Sequence, residues 1–161
     1  MGRRGRNNLT EESIFFITTT VVNFTPIFEN TAFCDILINN IKYYKTRYKF
    51  EILGYVIMLS HFHWIVRTEQ KRGTVSDIMR DIKKFTAWKI FGLIEKENLK
   101  ELENHFIKAA EGIKDQSRKL WMSRFDDEVI RNEKMFWVKS KYIHDNPVKA
   151  GIVVKPEEYK Y

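Results

Sequence analysis

Tyr55-Val56-Ile57-Met58-Leu59-Ser60-His61-Phe62-His63-Trp64-Ile65-Val66 is an apolar run that carries two histidines one residue apart. It reads as extended structure. Successive side chains of a strand point to opposite faces, so His61 and His63 share one face and Phe62, Trp64 and Val66 share the other. The second set fits a buried core face. Two imidazoles side by side can hold one divalent metal with little ordering cost. Either histidine alone reads more often as a structural residue, hydrogen-bonded at a strand end, and the pair by itself reads equally well as structural or as metal-binding.

Working outward, the run divides into strands over Phe50–Met58 and His61–Thr68, with Leu59-Ser60 as the break. A pair of antiparallel strands is favoured over one long bulged strand. Upstream, Ser13-Ile14-Phe15-Phe16-Ile17-Thr18-Thr19-Thr20-Val21-Val22 is rich in β-branched and aromatic residues and reads as a first strand ended by Pro26. Asn30 to Lys49 places Phe33, Ile36, Leu37, Ile41 and Tyr44 at helical spacing. Downstream, Glu69–Gly73 is a polar loop and Thr74-Val75-Ser76-Asp77 resembles a capping box with Thr74 as N-cap. The helix after it puts Ile78, Ile82, Phe85, Lys89 and Leu93 on one stripe and leaves Arg80, Lys83 and Lys84 mainly off it, available to solvent or phosphate. Asn98–Lys119 reads as charged helix with loop, Phe125–Ile130 as a short fourth strand, and Asn132–Asp145 as a helix with Phe136, Ser140 and Ile143 on its core side. Pro147 is expected to stop that helix. The order of elements predicts an α+β, ferredoxin-like sandwich, an antiparallel sheet of four to five strands with helices packed on it.

The chain has 161 residues, 43% hydrophobic and 14% aromatic, which fits a single domain over 1–161 with one core. Cys34 is the only cysteine, so no disulfide framework exists and a cytoplasmic location is expected. No apolar run is long enough to span a bilayer, and no membrane partner is expected. Met1 to Asn8 carries Arg3, Arg4 and Arg6 without an apolar stretch, so residues 1–10 read as a mobile basic arm and not as a signal peptide. Net charge is +7, which favours a polyanionic partner. The charge is segregated. Lys71 to Gly92 holds six bases against Asp77 and Asp81, whereas Glu95 to Glu111 holds five glutamates and three lysines.

About eighty residues beyond the histidine pair lies Lys141-Tyr142-Ile143-His144-Asp145-Asn146-Pro147-Val148-Lys149-Ala150-Gly151. It resembles the tyrosine helix and following turn of the single-tyrosine HUH transposases, the insertion-sequence-200-like group and its repeat-associated relatives. Their pattern there is Tyr-Ile-x-x-Asn-Pro-Val-Lys/Arg-x-Gly. Trp121-Met122-Ser123-Arg124-Phe125 is similar to that family's Trp-Gln-x-Arg-Phe, and Ile82-Lys83-Lys84-Phe85-Thr86 to its basic helix. With His61-Phe62-His63 as the His-hydrophobe-His element, the resemblance covers roughly residues 12–160, in the family's order and spacing. The departures are Ser60, where an acidic or amide residue often precedes the histidines, and the length of Asn98–Lys119.

Tyr142 and Asn146 are four residues apart, hence on one helix face. A phenol titrates near ~10, so Tyr142 is a weak nucleophile unless activated. By themselves Tyr142 reads as a packing residue and Asn146 as a helix C-cap. The resemblance implies more. Tyr142 is the nucleophile that attacks a phosphate of single-stranded DNA, leaving a 5′-phosphotyrosine and a free 3′-hydroxyl. His61, His63 and the Asn146 carbonyl oxygen are the metal ligands, a set that suits Mg²⁺ or Mn²⁺. The implied substrate is single-stranded DNA with hairpin ends. Arg80, Lys83 and Lys84, the Arg3-Arg4-Gly5-Arg6 arm and Arg124 are its candidate contacts. Trp121, Arg124 and Phe125 read first as core and sheet packing. His144 reads as structural or DNA-facing. A homodimer is expected, with the histidines and the tyrosine helix exchanged between subunits in many family members and monomers among the repeat-associated ones. The alternatives are a domesticated or non-catalytic hairpin-binding protein and a metal hydrolase in which water replaces Tyr142.

Overall fold

The computed structural model describes residues 12–161; Arg3, Arg4 and Arg6 lie outside the described residues. Four strands, β1 (Glu12–Thr20), β2 (Glu51–Ile57), β3 (His61–Glu69) and β4 (Asp126–Ile130), form one antiparallel sheet in the order β2-β3-β1-β4. Helix α1 (Thr31–Tyr48) connects β1 to β2; α2 (Val75–Lys96) and α3 (Lys100–Lys108) connect β3 to β4; α4 (Glu133–Lys149) follows β4. Up to β4 this is the ferredoxin-like βαββαβ order, two split βαβ units with their strands interleaved. The expectation of an α+β sandwich holds, with four strands among the described residues.

The period of two in β1 and β3 divides the core. Phe15, Ile17, Phe62, Trp64 and Val66 face one way and pack with Leu37, Ile41, Ile78 and Ile82 of α1 and α2. Phe16, Val56, Ile65 and Ile130 face the other way and receive Ile143 of α4. Both faces are therefore covered, which explains why the run around Phe62 is apolar almost throughout. The β2–β3 connection is a tight hairpin, closed by the Met58 amide donating to the His61 carbonyl at 2.7 Å. Helix α2 starts at the expected capping box, in which Thr74 Oγ1 accepts from the Asp77 amide and Asp77 accepts from the Thr74 amide.

Three expectations are corrected. Pro147 does not stop α4; the helix runs on to Lys149. Because the proline falls in the last turn, it removes one helical hydrogen bond only, and the turn is closed by the Ala150 amide donating to the Asn146 carbonyl. Phe85 is not on the buried stripe of α2. It lies at the edge of the helix, 37% exposed, with its ring 6.0 Å from Tyr44. Lys83 is not presented to solvent. It reaches inward and donates to the Met122 carbonyl at 2.8 Å, while Trp121 Nε1 donates to the Lys83 carbonyl at 2.9 Å. Burial, with Lys119 nearby, lowers its ammonium pKa to about 8.

Candidate active site

His61 and His63 stand on the α4 face of β3, with ring centroids 4.8 Å apart. The register of the sheet fixes their surroundings. Thr20 is opposite His61, Thr18 and Val56 flank His63, and Phe16 is opposite Ile65. Thr18 Oγ1 is 2.7 Å from His63 Nδ1. Phe16 stacks on the His63 ring, 5.6 Å between centroids at 13°. These contacts hold the buried imidazole in one orientation. Ser60 Oγ lies 3.3 Å from His61 Nδ1, so the serine that departs from the resembled pattern still contacts the pair.

Across from them, α4 presents Tyr142. Its ring lies edge-on to His63 at 5.1 Å and to Phe16 at 5.8 Å, and it is 41% exposed, so the phenol is held on one side and open on the other. Asn146 follows one turn later, half-buried on the same helix. The sequence thus brings Tyr142 and the histidine pair together within one chain, across some eighty residues. Around them, Lys139 of α4 pairs with Glu128 of β4 at 2.6 Å and covers the Phe16 ring at 4.6 Å.

A metal is implied by the resemblance, and the donor set can be tested against it. His63 Nε2 is buried and has no hydrogen-bond partner, whereas Nδ1 is engaged by Thr18. A neutral imidazole with one nitrogen tied to a neighbour and the other left bare is the form that binds a metal. Burial lowers the pKa of His61, and burial, His61 and Lys139 together lower that of His63 to about 4. Both rings are neutral at pH 7. Among the described residues no three His, Cys, Asp or Glu side chains form a group that could hold a metal, and half-buried Asn146, one turn beyond Tyr142 on α4, offers a side-chain carbonyl oxygen as a further donor. Two neutral imidazoles and an amide oxygen are donors of the kind such an ion takes, so the residues present fit it.

The depressed His63 pKa has a consequence for stability. The unfolded chain takes up the proton near 6.5, the folded chain only near 4. Stability contributed by neutral His63 is whole above pH 6.5 and is lost as pH falls through this window, by about 2 kcal/mol at pH 5. Urea unfolding in chelator at pH 7 and pH 5 measures it. His63→Gln, which does not titrate, flattens the difference; an equal loss in both proteins would exclude His63 as its source.

The other expected residues are spread around the molecule. Arg80 is held by Asp77 at 2.8 Å and Asp81 at 3.1 Å. Lys84 and Arg124 are exposed and have no ion pair among the described residues. Arg124 lies two residues before β4, at the sheet end where Thr20 faces His61, whereas α2 with Lys84 covers the opposite face of the sheet. Trp121 is buried and Phe125 packs against the core, as expected. Sequence reasoning missed Phe16, Thr18 and Lys139. Their place at the site depends on the β1–β3 register and on the seat of α4, which residue spacing does not carry.

Comparison with solved structures finds the same fold in a REP-associated tyrosine transposase bound to a REP hairpin, at a TM-score of 0.71 and 24% identity, covering 100% of this chain and 81% of that one. A candidate transposase from Deinococcus radiodurans R1 is also similar, at a TM-score of 0.55 and 12% identity over 89% of this chain and 97% of its own. No family model matches the chain, and no curated protein does. Among the described residues no helix is long and apolar enough to cross a membrane.

Proposed function

We propose that this chain is a single-tyrosine HUH transposase of the repeat-associated kind, which nicks and rejoins single-stranded DNA through Tyr142. The observation that carries the reading is the contact of the Tyr142 ring with His63 at 5.1 Å. A tyrosine next to a histidine pair with one bare nitrogen is what a metal-assisted phosphoryl transfer to a phenol requires. The hairpin bound to the structural neighbour supports a hairpin-ended substrate.

In this reading, the Tyr142 hydroxyl gives up its proton to water as its oxygen attacks the phosphorus, the bond from phosphorus to the 3′-oxygen breaks, and that oxygen takes a proton from water and leaves as a hydroxyl. The 5′ end stays on Tyr142 as a phosphotyrosine ester, so its energy is kept for rejoining and no ATP is needed. His61, His63 and Asn146 would hold Mg²⁺ or Mn²⁺, which when bound supplies Lewis-acid polarisation of the scissile phosphate. Phe16 and Thr18 keep the His63 ring oriented, and Ile143 anchors α4 to the sheet so that the Tyr142 ring faces the pair. The expected homodimer is not required for this chemistry, because the parts lie in one chain.

Incubation with hairpin-ended single-stranded DNA and Mn²⁺ tests the reading. It predicts a protein–DNA adduct that survives denaturing electrophoresis and is absent with chelator, under which binding persists. Tight binding without cleavage under either metal would instead favour a non-catalytic hairpin-binding protein, and hydrolysed product without adduct a metal hydrolase. For binding, Lys84→Ala and Arg124→Ala should each reduce the salt slope by about 1. Lys83→Ala, whose ammonium is turned inward, should lower stability and leave the slope unchanged. An unchanged slope for Lys84 and Arg124 would remove both from the interface.

A further inference from the structure

Lys139 stands one turn ahead of Tyr142 on α4, so the two side chains leave the helix on the same face. Its ammonium lies 4.6 Å from the centroid of the Phe16 ring, and that ring also meets Tyr142 at 5.8 Å and His63 at 5.6 Å. The charge is felt at the histidine pair, where burial, His61 and then Lys139 lower the His63 pKa to about 4. In this structure the ammonium is tied to the Glu128 carboxylate of β4 at 2.6 Å. We propose that Lys139 is a further catalytic residue, held by Glu128 until DNA arrives and then handed from that carboxylate to the phosphate presented to Tyr142. The inference rests on the function proposed above.

The register of the sheet shows why a cation is needed on this side. Glu128 is opposite Phe16 and Asp126 is opposite Thr18, so both carboxylates stand on the α4 face of β4. They repel a phosphate brought to His63 and Tyr142 unless a positive group lies between. Lys139 comes down onto the sheet from α4 at that place. Its side chain is 24% exposed, with the stem resting on the Phe16 ring, and that of Glu128 is 45% exposed. An ion pair this open to water holds weakly. A phosphate oxygen accepts from the same ammonium, and the flexible stem lets a lysine change partners readily. An ammonium fixed beside the phosphorus then stabilises the charge on its oxygens as the phenol oxygen attacks.

The other bases of α4 are placed differently. Lys141 is paired with Asp145 of its own helix at 2.7 Å. Lys149 reaches the Tyr142 ring at 5.9 Å from two turns further along the helix, with no carboxylate of the sheet to hold it. A plain structural tie between α4 and β4 is the competing reading of the Lys139–Glu128 pair. Ile143 already gives α4 an apolar anchor among Phe16, Val56 and Ile65. The two readings differ in sign. In a tie, loss of either partner weakens the protein in the same way. In a handover, loss of Lys139 removes the grip, whereas loss of the Glu128 charge frees it.

The test uses the full chain and a hairpin DNA selected for binding from a pool with a randomised single-stranded flank. One uncharged methylphosphonate is stepped along that flank, and affinity is measured in chelator. One position should cost the wild type about tenfold, and that penalty should vanish in Lys139→Gln and persist in Lys139→Arg, which keeps the charge. Glu128→Gln should bind the unmodified DNA about threefold more tightly than wild type. With Mn²⁺ and saturating DNA, Lys139→Gln should capture the strand about a hundredfold more slowly. The same methylphosphonate profile in wild type and Lys139→Gln would overturn the proposal. So would equal losses of affinity in Lys139→Gln and Glu128→Gln that follow a common fall in melting temperature. If adduct forms in wild type while either of those results is found, the handover falls and the nuclease reading stands. If the profile changes as expected and neither Mn²⁺ nor Mg²⁺ yields adduct, the phosphate contact stands and the nuclease reading falls.

Discussion

Replacing Tyr142 with phenylalanine should lower covalent capture of hairpin-ended DNA by roughly a thousandfold or more, while DNA binding and folding should stay near wild type. The expectation follows from what the substitution removes. The phenyl ring keeps its edge contacts with His63 and Phe16, which involve ring carbons, and the position is 41% exposed. Only the phenol hydroxyl disappears; the Thr18 and Ser60 hydroxyls beside the pair are aliphatic alcohols, far weaker acids than a phenol, and each is engaged with a ring nitrogen. The assay is band shift on denaturing gels at saturating Mn²⁺, with binding followed separately by fluorescence anisotropy. Adduct formed by Tyr142→Phe at the wild-type rate would exclude Tyr142 as the nucleophile.

The second large effect concerns the histidines. Wild type should gain thermal stability on addition of Mn²⁺, by about 2.7 kcal/mol at a hundred times the dissociation constant. His61→Ala should lose that gain and the adduct together. His61 is half-buried at the first position of β3, so its removal should leave the fold intact. Thr18→Val tests the support of the other ligand. It removes the hydroxyl 2.7 Å from His63 Nδ1 and keeps the shape, so metal affinity should fall by about ten- to a hundredfold. A Mn²⁺-dependent gain in stability that survives in both variants would place the ion elsewhere.

Much of this molecule was legible because it follows from local rules. Alternation put His61 and His63 on one face and Phe62, Trp64 and Val66 on the other; the capping box at Thr74 announced α2; helical spacing announced α1. What escaped depends on contacts between distant segments. Lys83 reads as one more base on a basic helix, and only the arrival of Met122 beside it turns it inward. Pro147 breaks helices in general, but at the last turn of α4 it is tolerated. The meeting of Tyr142 with His63 is of the same kind. The resemblance implied a shared site, but sequence spacing could not say whether one chain would supply both halves.

In the proposed reaction the phenol oxygen of Tyr142 forms the covalent bond to DNA. Proteolysis of the purified adduct followed by mass spectrometry tests it most directly. The account predicts one nucleotide-bearing peptide, containing Lys141 to Lys149, with the phosphodiester on Tyr142 and a 5′-linked nucleotide. A nucleotide on any other residue, or cleaved DNA with no peptide attached, would contradict it.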